Sequence, residues 1–264
     1  MNDLIIVAGV GFLSGITTVV FGFGGGFIAV PFVYHFILYT ANLSPTESMI
    51  IAVATSTAVM IVNTGYASYK SHHGQLIKKE IIFPLVIFIG LGAIFGAYTS
   101  TLLHGDKLRY VFFAYILFTI IDCVFRPGFI TEATDAKKLK VKESATLGPI
   151  IDYIAAMLGV GGSVMTVPLL RRKGYDMNVC VSSANPLAMP VAIVGTIMYA
   201  ILGHSQSFGA DYVGYVNIHI FLALTVFGFL GIVASKKYLP KIKDSVHAKA
   251  YICLLSIVLI SMMV

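Results

Sequence analysis

Apolar residues in this chain come in long, nearly unbroken runs divided by short polar or glycine-rich interruptions. They show neither the strict alternation of a half-buried strand nor the single stripe of a soluble helix. The runs predict segments at 4–21, 27–40, 47–69, 80–103, 108–125, 145–158, 163–171, 177–202, 212–235 and 247–264. A helix needs about 20 apolar residues to cross about 30 Å of hydrocarbon. Segments 27–40, 145–158 and 163–171 are too short to cross alone, so they read as arms of hairpins that turn inside the protein. The pattern predicts two hairpins, 4–21 with 27–40 and 145–158 with 163–171, and six full spans. The expected fold class is an all-α integral membrane protein.

Composition agrees and closes off the soluble alternatives. Hydrophobic residues make up 58% of the chain, charged residues 11%, and mean hydropathy is +0.89. The net charge of +6 does not form a nucleic-acid-binding stripe, because Lys and Arg are scattered among short loops. No nucleic-acid partner is expected; the lipid bilayer is. Met1-Asn2-Asp3 lacks the basic start of a signal peptide, so the run from Leu4 to Val20 is expected in the mature protein. Cys123, Cys180 and Cys253 stand singly, with no metal-ligand spacing, and no cofactor motif is present.

The charges do fix a topology. Sixteen of the eighteen Lys and Arg fall in the loop near Lys70, the linker from Arg126 to Lys142, the stretch Arg171–Lys173 and the stretch Lys236–Lys249. These all belong on one side if the six spans alternate, which makes that side cytoplasmic and puts both termini outside. Only Lys107 and Arg109 are left for the opposite face. The first hairpin then opens to the outside and the second to the cytoplasm, so the two halves are inverted.

The halves also share a motif. Gly11 is followed by Gly22-Phe23-Gly24-Gly25-Gly26-Phe27 and Pro31, and Gly148 by Gly159-Val160-Gly161-Gly162-Ser163-Val164 and Pro168, at a constant offset of 137 residues. Each copy precedes a span with a polar pair near its start, Thr55-Ser56 or Ser182-Ser183. The expected organisation is a first membrane repeat over 1–125, a basic cytoplasmic linker over 126–144 and a second membrane repeat over 145–264. Each repeat is a glycine-interrupted hairpin plus three transmembrane helices. Inverted repeats with helices broken at matching positions point to a substrate site at the bilayer midplane.

These motifs resemble the sulfite exporter TauE/SafE family of membrane permeases, whose hallmark is a duplicated G-x-GGG-x-x-x-x-P element. Gly22 to Pro31 matches it well, whereas Ser163 stands where the second copy usually has its third glycine. The resemblance covers essentially the whole chain. It implies transport of a small sulfur-containing or organic anion, such as sulfite, thiosulfate or an organosulfonate, across a cell inner (plasma) membrane. An anion channel, or a transporter of an unrelated carboxylate, would share these features. A membrane enzyme would need a nucleophile–base or metal constellation, and the sequence contains no such motif.

No Lys or Arg lies in the interior of an expected segment, so backbone must supply most of the positive potential an anion needs. Helices beginning after Gly26 and near Ser163 would aim unpaired N–H groups and partial positive charge at the membrane interior. The candidate binding residues are Gly24, Gly25, Gly26, Phe27, Thr55, Ser56, Gly161, Gly162, Ser163, Ser182, Ser183 and Asn185. Glycine lets an oxyanion approach the backbone, while hydroxyls and the Asn185 amide add donors. Each hydroxyl has an alternative, bonding back to a carbonyl one turn earlier. Intramembrane ionisable residues are functional candidates by default. Asp152, which replaces the first half's Gly15, and His219, expected two turns into its span, are the candidates for a coupling proton or cation; Asp122 is expected to face interfacial water.

Overall fold

The structure, a computed structural model, describes residues 2–41, 43–73, 92–126, 128–130, 141–206, 208–240 and 242–263. Its helices are α1 (Asn2–Phe21), α2 (Gly26–Thr40), α3 (Pro45–His73), α4 (92–102), α5 (Gly105–Phe125), α6 (Val141–Leu158), α7 (Ser163–Arg172), α8 (Met177–Leu202), α9 (Ile218–Tyr238) and α10 (Asp244–Ser261). The protein is all-α, with one two-stranded hairpin among the described residues. In it β1 (Tyr212–Val213) pairs antiparallel with β2 (Val216–Asn217). Most of the span expected at 80–103, and most of the linker expected at 126–144, lies outside the described residues.

Five of the described helices, α3, α5, α8, α9 and α10, are long and apolar enough to cross a membrane. Side chains such as Tyr39, Phe95, Tyr110, Phe118, Phe125, Ile197 and Ile260 are exposed around the bundle, where water would penalise them and lipid would not. α3 is the central helix. Its most apolar stretch is 83% buried, against 28–39% for the other four.

Local chemistry sets several helix ends. Ser44 and Glu47 bond reciprocally through N–H and side chain, with Pro45 between them, a capping box that starts α3. Asn217 Oδ1 accepts from Ile220 N at 2.9 Å and so starts α9 at Ile218. This corrects the expected span at 212–235: residues 212–217 form the hairpin, whose apolar pairs Tyr212-Val213 and Tyr215-Val216 read as part of the apolar run in the sequence.

The tightest helix contacts are built on glycine. α1 lies along α9, where Gly11 faces Leu224 and Phe227, Gly15 faces Gly228 and Ile232, and Gly231 faces Phe12. α4 lies along α6 in the same sense, with Gly92 against Pro149 and Tyr153 and Gly96 against Tyr153 and Met157. Without a hydrophobic force between helices in lipid, such backbone proximity supplies the van der Waals contact that holds them. The two broken hairpins leave in different directions. α2 runs toward the end where α10 finishes, with His35 Nε2 hydrogen-bonded to the Ser261 carbonyl. α7 runs toward the end where α10 starts, with Arg171 ion-paired to Asp244.

Candidate anion site between the two glycine breaks

The breaks between α1 and α2 and between α6 and α7 come together against α3. A Cβ placed on Gly26 would stand 2.5 Å from the carbonyl oxygen of Gly159, and Met60 of α3 touches both Gly26 and Gly161. Gly22 rests on Val181 and Ala184 of α8, while Gly159 rests on Val53 of α3. Each break is thus pressed onto the span that carries the other half's polar pair. Left-handed backbone makes the turns: φ is 86° at Gly25 and 67° at Gly161, values that L side chains rarely adopt.

Tyr251, which the sequence reading passed over, joins the two breaks. Its ring lies 4.9 Å from that of Phe23, and its hydroxyl donates to the Val164 carbonyl at 3.0 Å. Pro168 has no N–H to bond that carbonyl within α7, so the tyrosine replaces the missing helical bond. Removing the hydroxyl in Tyr251→Phe is expected to cost about 1 kcal/mol of stability, measurable as a lower unfolding midpoint in detergent. No change would mean that the carbonyl finds another donor.

The candidate side chains divide into committed and free groups. Thr55 Oγ1 accepts from the Asn217 amide at 3.0 Å. Asn185 Nδ2 donates to the Thr18 carbonyl at 3.1 Å, leaving its Oδ1 without a partner. Nδ2 carries a second hydrogen, so the side chain retains both a donor and an acceptor. Ser56, Ser163 and Ser183 are buried, and their hydroxyls have no partner among the described residues. Back-bonding is instead made by neighbours such as Thr57 and Thr64. Phe27 is buried in an aromatic stack with Phe23 and Phe112, 4.6 and 6.3 Å away, which is a packing position.

Gly24 and Gly25 admit protein groups rather than open space. Side chains at Gly25 would overlap Ser14 Oγ and the Asn63 amide, and at Gly24 would reach Thr64 and Met60. Ser14 donates to the Gly25 carbonyl at 3.2 Å, and Asn63 Nδ2 donates to Ser14 Oγ at 3.4 Å. The sequence signal for this chain was present: Ser14 and Asn63 are polar residues in the middle of apolar runs. In the second half Gly162 is placed alike, with its Cβ position 3.0 Å from Asp152 Oδ1.

A half-open cavity of about 330 Å³ lies at the basic end of the bundle, and Val181, on which Gly22 rests, is in its wall. Ser182, Asn185 and Val181 line it, as do Lys70, Ser71, Lys236 and His247. Lys236 Nζ donates to the Ala67 carbonyl and to Ser71 Oγ, both at 3.2 Å. Lys236, in the last turn of α9, and the fully buried Arg171, in the last turn of α7, stand at helix ends, yet their side chains are drawn into the protein. His219 is also relocated. Because α9 starts at Ile218, His219 occupies its first turn, exposed and paired with Asp211 at 3.0 Å, so it lies at the start of the span and not two turns inside it.

The family model described as sulfite exporter TauE/SafE matches residues 7–262. The chain belongs to this family. It is also similar to a probable membrane transporter protein of Haemophilus influenzae, 24% identical over 263 residues, which cover 98% of this chain and 96% of the relative. A probable membrane transporter protein of Methanocaldococcus jannaschii is 23% identical over 240 residues, covering 88% and 86%. No solved structure matches. As a TauE/SafE protein with several apolar spans, the chain is a multi-pass membrane transporter.

Proposed function

We propose that this transporter moves a small sulfur-containing anion, such as sulfite, thiosulfate or an organosulfonate, across the cell inner membrane by movement of two inverted halves, 1–125 and 145–264. The observation that carries the reading is the cavity with Lys70 and Lys236 in its walls and Ser182 and Asn185 within it. Gly22, at the first glycine break, packs on Val181 of the cavity wall, and the hydroxyls of Ser56, Ser163 and Ser183 are buried without a partner among the described residues. The lysines attract an anion and the hydroxyls replace its water. The N-termini of α2 and α7 add positive potential from the two breaks. Matched glycine contacts in α1 with α9 and in α4 with α6 support inverted halves, as do hairpins leaving toward opposite ends.

Uptake into liposomes of purified protein tests this directly, with sulfite, thiosulfate, sulfate, sulfoacetate, taurine and a plain carboxylate as candidates. Saturable uptake and counterflow of a sulfur oxyanion are expected; carboxylate transport alone would remove the sulfur assignment, and unsaturable current would replace the transporter with a channel. Lys236→Met is expected to raise the half-saturating concentration about tenfold, the ~1.4 kcal/mol left from a ~4 kcal/mol contact at an effective dielectric of 20 once a half-open cavity screens it. Lys236→Arg keeps the charge and should transport. Wild-type kinetics in correctly folded Lys236→Met would separate the cavity from the route.

A further inference from the structure

Asp152 sits where the first half has glycine. Its side chain is 1% exposed, and Oδ2 has no hydrogen-bond partner. No cation pairs with it among the described residues. The elements around it supply few polar groups. α5 brings Tyr115 within reach of the carboxylate's charge, and the buried Tyr115 hydroxyl is also without a partner. α4 presents Gly92. From α7 come the unpartnered Ser163 hydroxyl and that of Thr166, which already donates to the Gly162 carbonyl. On α6 itself Tyr153 donates to Thr99, and Tyr199 of α8 and Tyr251 of α10 spend their hydroxyls on carbonyls of Ala156 and Val164.

An isolated carboxylate in this setting carries a large desolvation cost that one proton removes. Hard metal cations gather about six oxygen ligands, and the crowding is against one here: a Cβ on Gly92 would lie 3.2 Å from the Asp152 Cβ, and one on Gly162 3.0 Å from Oδ1. A proton needs no such room. Oδ1 stands beside Gly162, the residue that caps the N-terminus of α7. The ionised carboxylate and a bound anion therefore compete for the same positive helix end.

We propose that Asp152 is a proton-binding site linked to the anion site, so that anion binding draws a proton onto Asp152 and the two cross together. This rests on the transport reading above. Linkage is reciprocal: the anion favours protonated Asp152, and a lower pH favours the anion, by at most about tenfold per pH unit for one proton. Ionised Asp152 repels the anion, whereas the neutral acid leaves the α7 terminus free.

Infrared difference spectra of the full-length protein in lipid bilayers test the site without relying on transport. At neutral pH the wild type should show the carbonyl band of a protonated carboxylic acid, shifted by deuterium exchange and absent from Asp152→Asn. Should the asparagine variant not fold, Asp152→Glu keeps the acid and moves the band. Identical spectra for wild type and variant at neutral pH would overturn the proposal. Thiosulfate, whose own charge is constant across this range, is the probe for linkage: it should enlarge the band and carry protons into wild-type liposomes, with uptake by Asp152→Asn independent of pH. Thiosulfate uptake by the wild type without proton movement would overturn the linkage. If no anion in the panel is taken up, the transport reading fails and the linkage with it, while the band reports separately on Asp152 as a proton site.

Discussion

Gly15→Ala should destabilise the protein measurably, while Gly9→Ala, two turns earlier on the same helix, should leave the unfolding midpoint unchanged. A methyl group at Gly15 would overlap the Gly228 carbonyl and stand 2.9 Å from the Ile232 amide nitrogen, whereas nothing lies within 4 Å of a methyl group at Gly9. Both neighbours at Gly15 are backbone, so no side chain can swing aside and α1 must move off α9. Overpacking of this kind costs about 1–3 kcal/mol, with larger side chains at the upper end. The same contact binds α1 to the helix that carries Lys236, so Gly15→Ala should also weaken uptake. Gly96→Ala probes the corresponding place, where a methyl group would overlap the Tyr153 carbonyl and stand 3.0 Å from the Met157 nitrogen. Equal midpoints for Gly15→Ala and Gly9→Ala would show that α1 and α9 adjust without cost.

The contrast between these glycines shows what the sequence discloses and what it withholds. Long apolar runs made the helices legible; α8 occupies the 177–202 expected of it. The glycine motifs were legible as breaks because a triple glycine inside an apolar run has few structural alternatives. Which groups enter the space they open was not. Proximity of Ser14, Gly25 and Asn63 depends on how α1, α2 and α3 cross, and that information is spread over all three helices. Charge counting assigned Lys236 and Arg171 to a side of the membrane, which needs only their order along the chain. Their burial depends on partners, Ser71 and Ala67 for one and Asp244 for the other, that are far away in sequence.

That dependence makes Arg171 the most sensitive charged position. Its guanidinium is 0% exposed; it pairs with Asp244 at 2.5 Å and donates to the carbonyls of Phe129 and Tyr175, both at 3.0 Å. Asp244 also accepts from the Met177 amide at 2.8 Å, so the pair fastens the end of α7 to the starts of α8 and α10. Arg171→Met should cost about 3 kcal/mol, the low end for breaking a buried pair, because Asp244 keeps 25% of its side chain in contact with solvent. Much of that loss comes from the carboxylate and carbonyls left without the guanidinium. Asp244→Asn retains the oxygen that accepts from Met177 and drops the charge, so Arg171→Met with Asp244→Asn should be more stable than Arg171→Met alone. Unfolding midpoints for the two single variants and the double variant measure the coupling. Additive losses would show that Arg171 acts through its carbonyl contacts alone; a recovered midpoint in the double variant would assign the fastening of α7 to the ion pair.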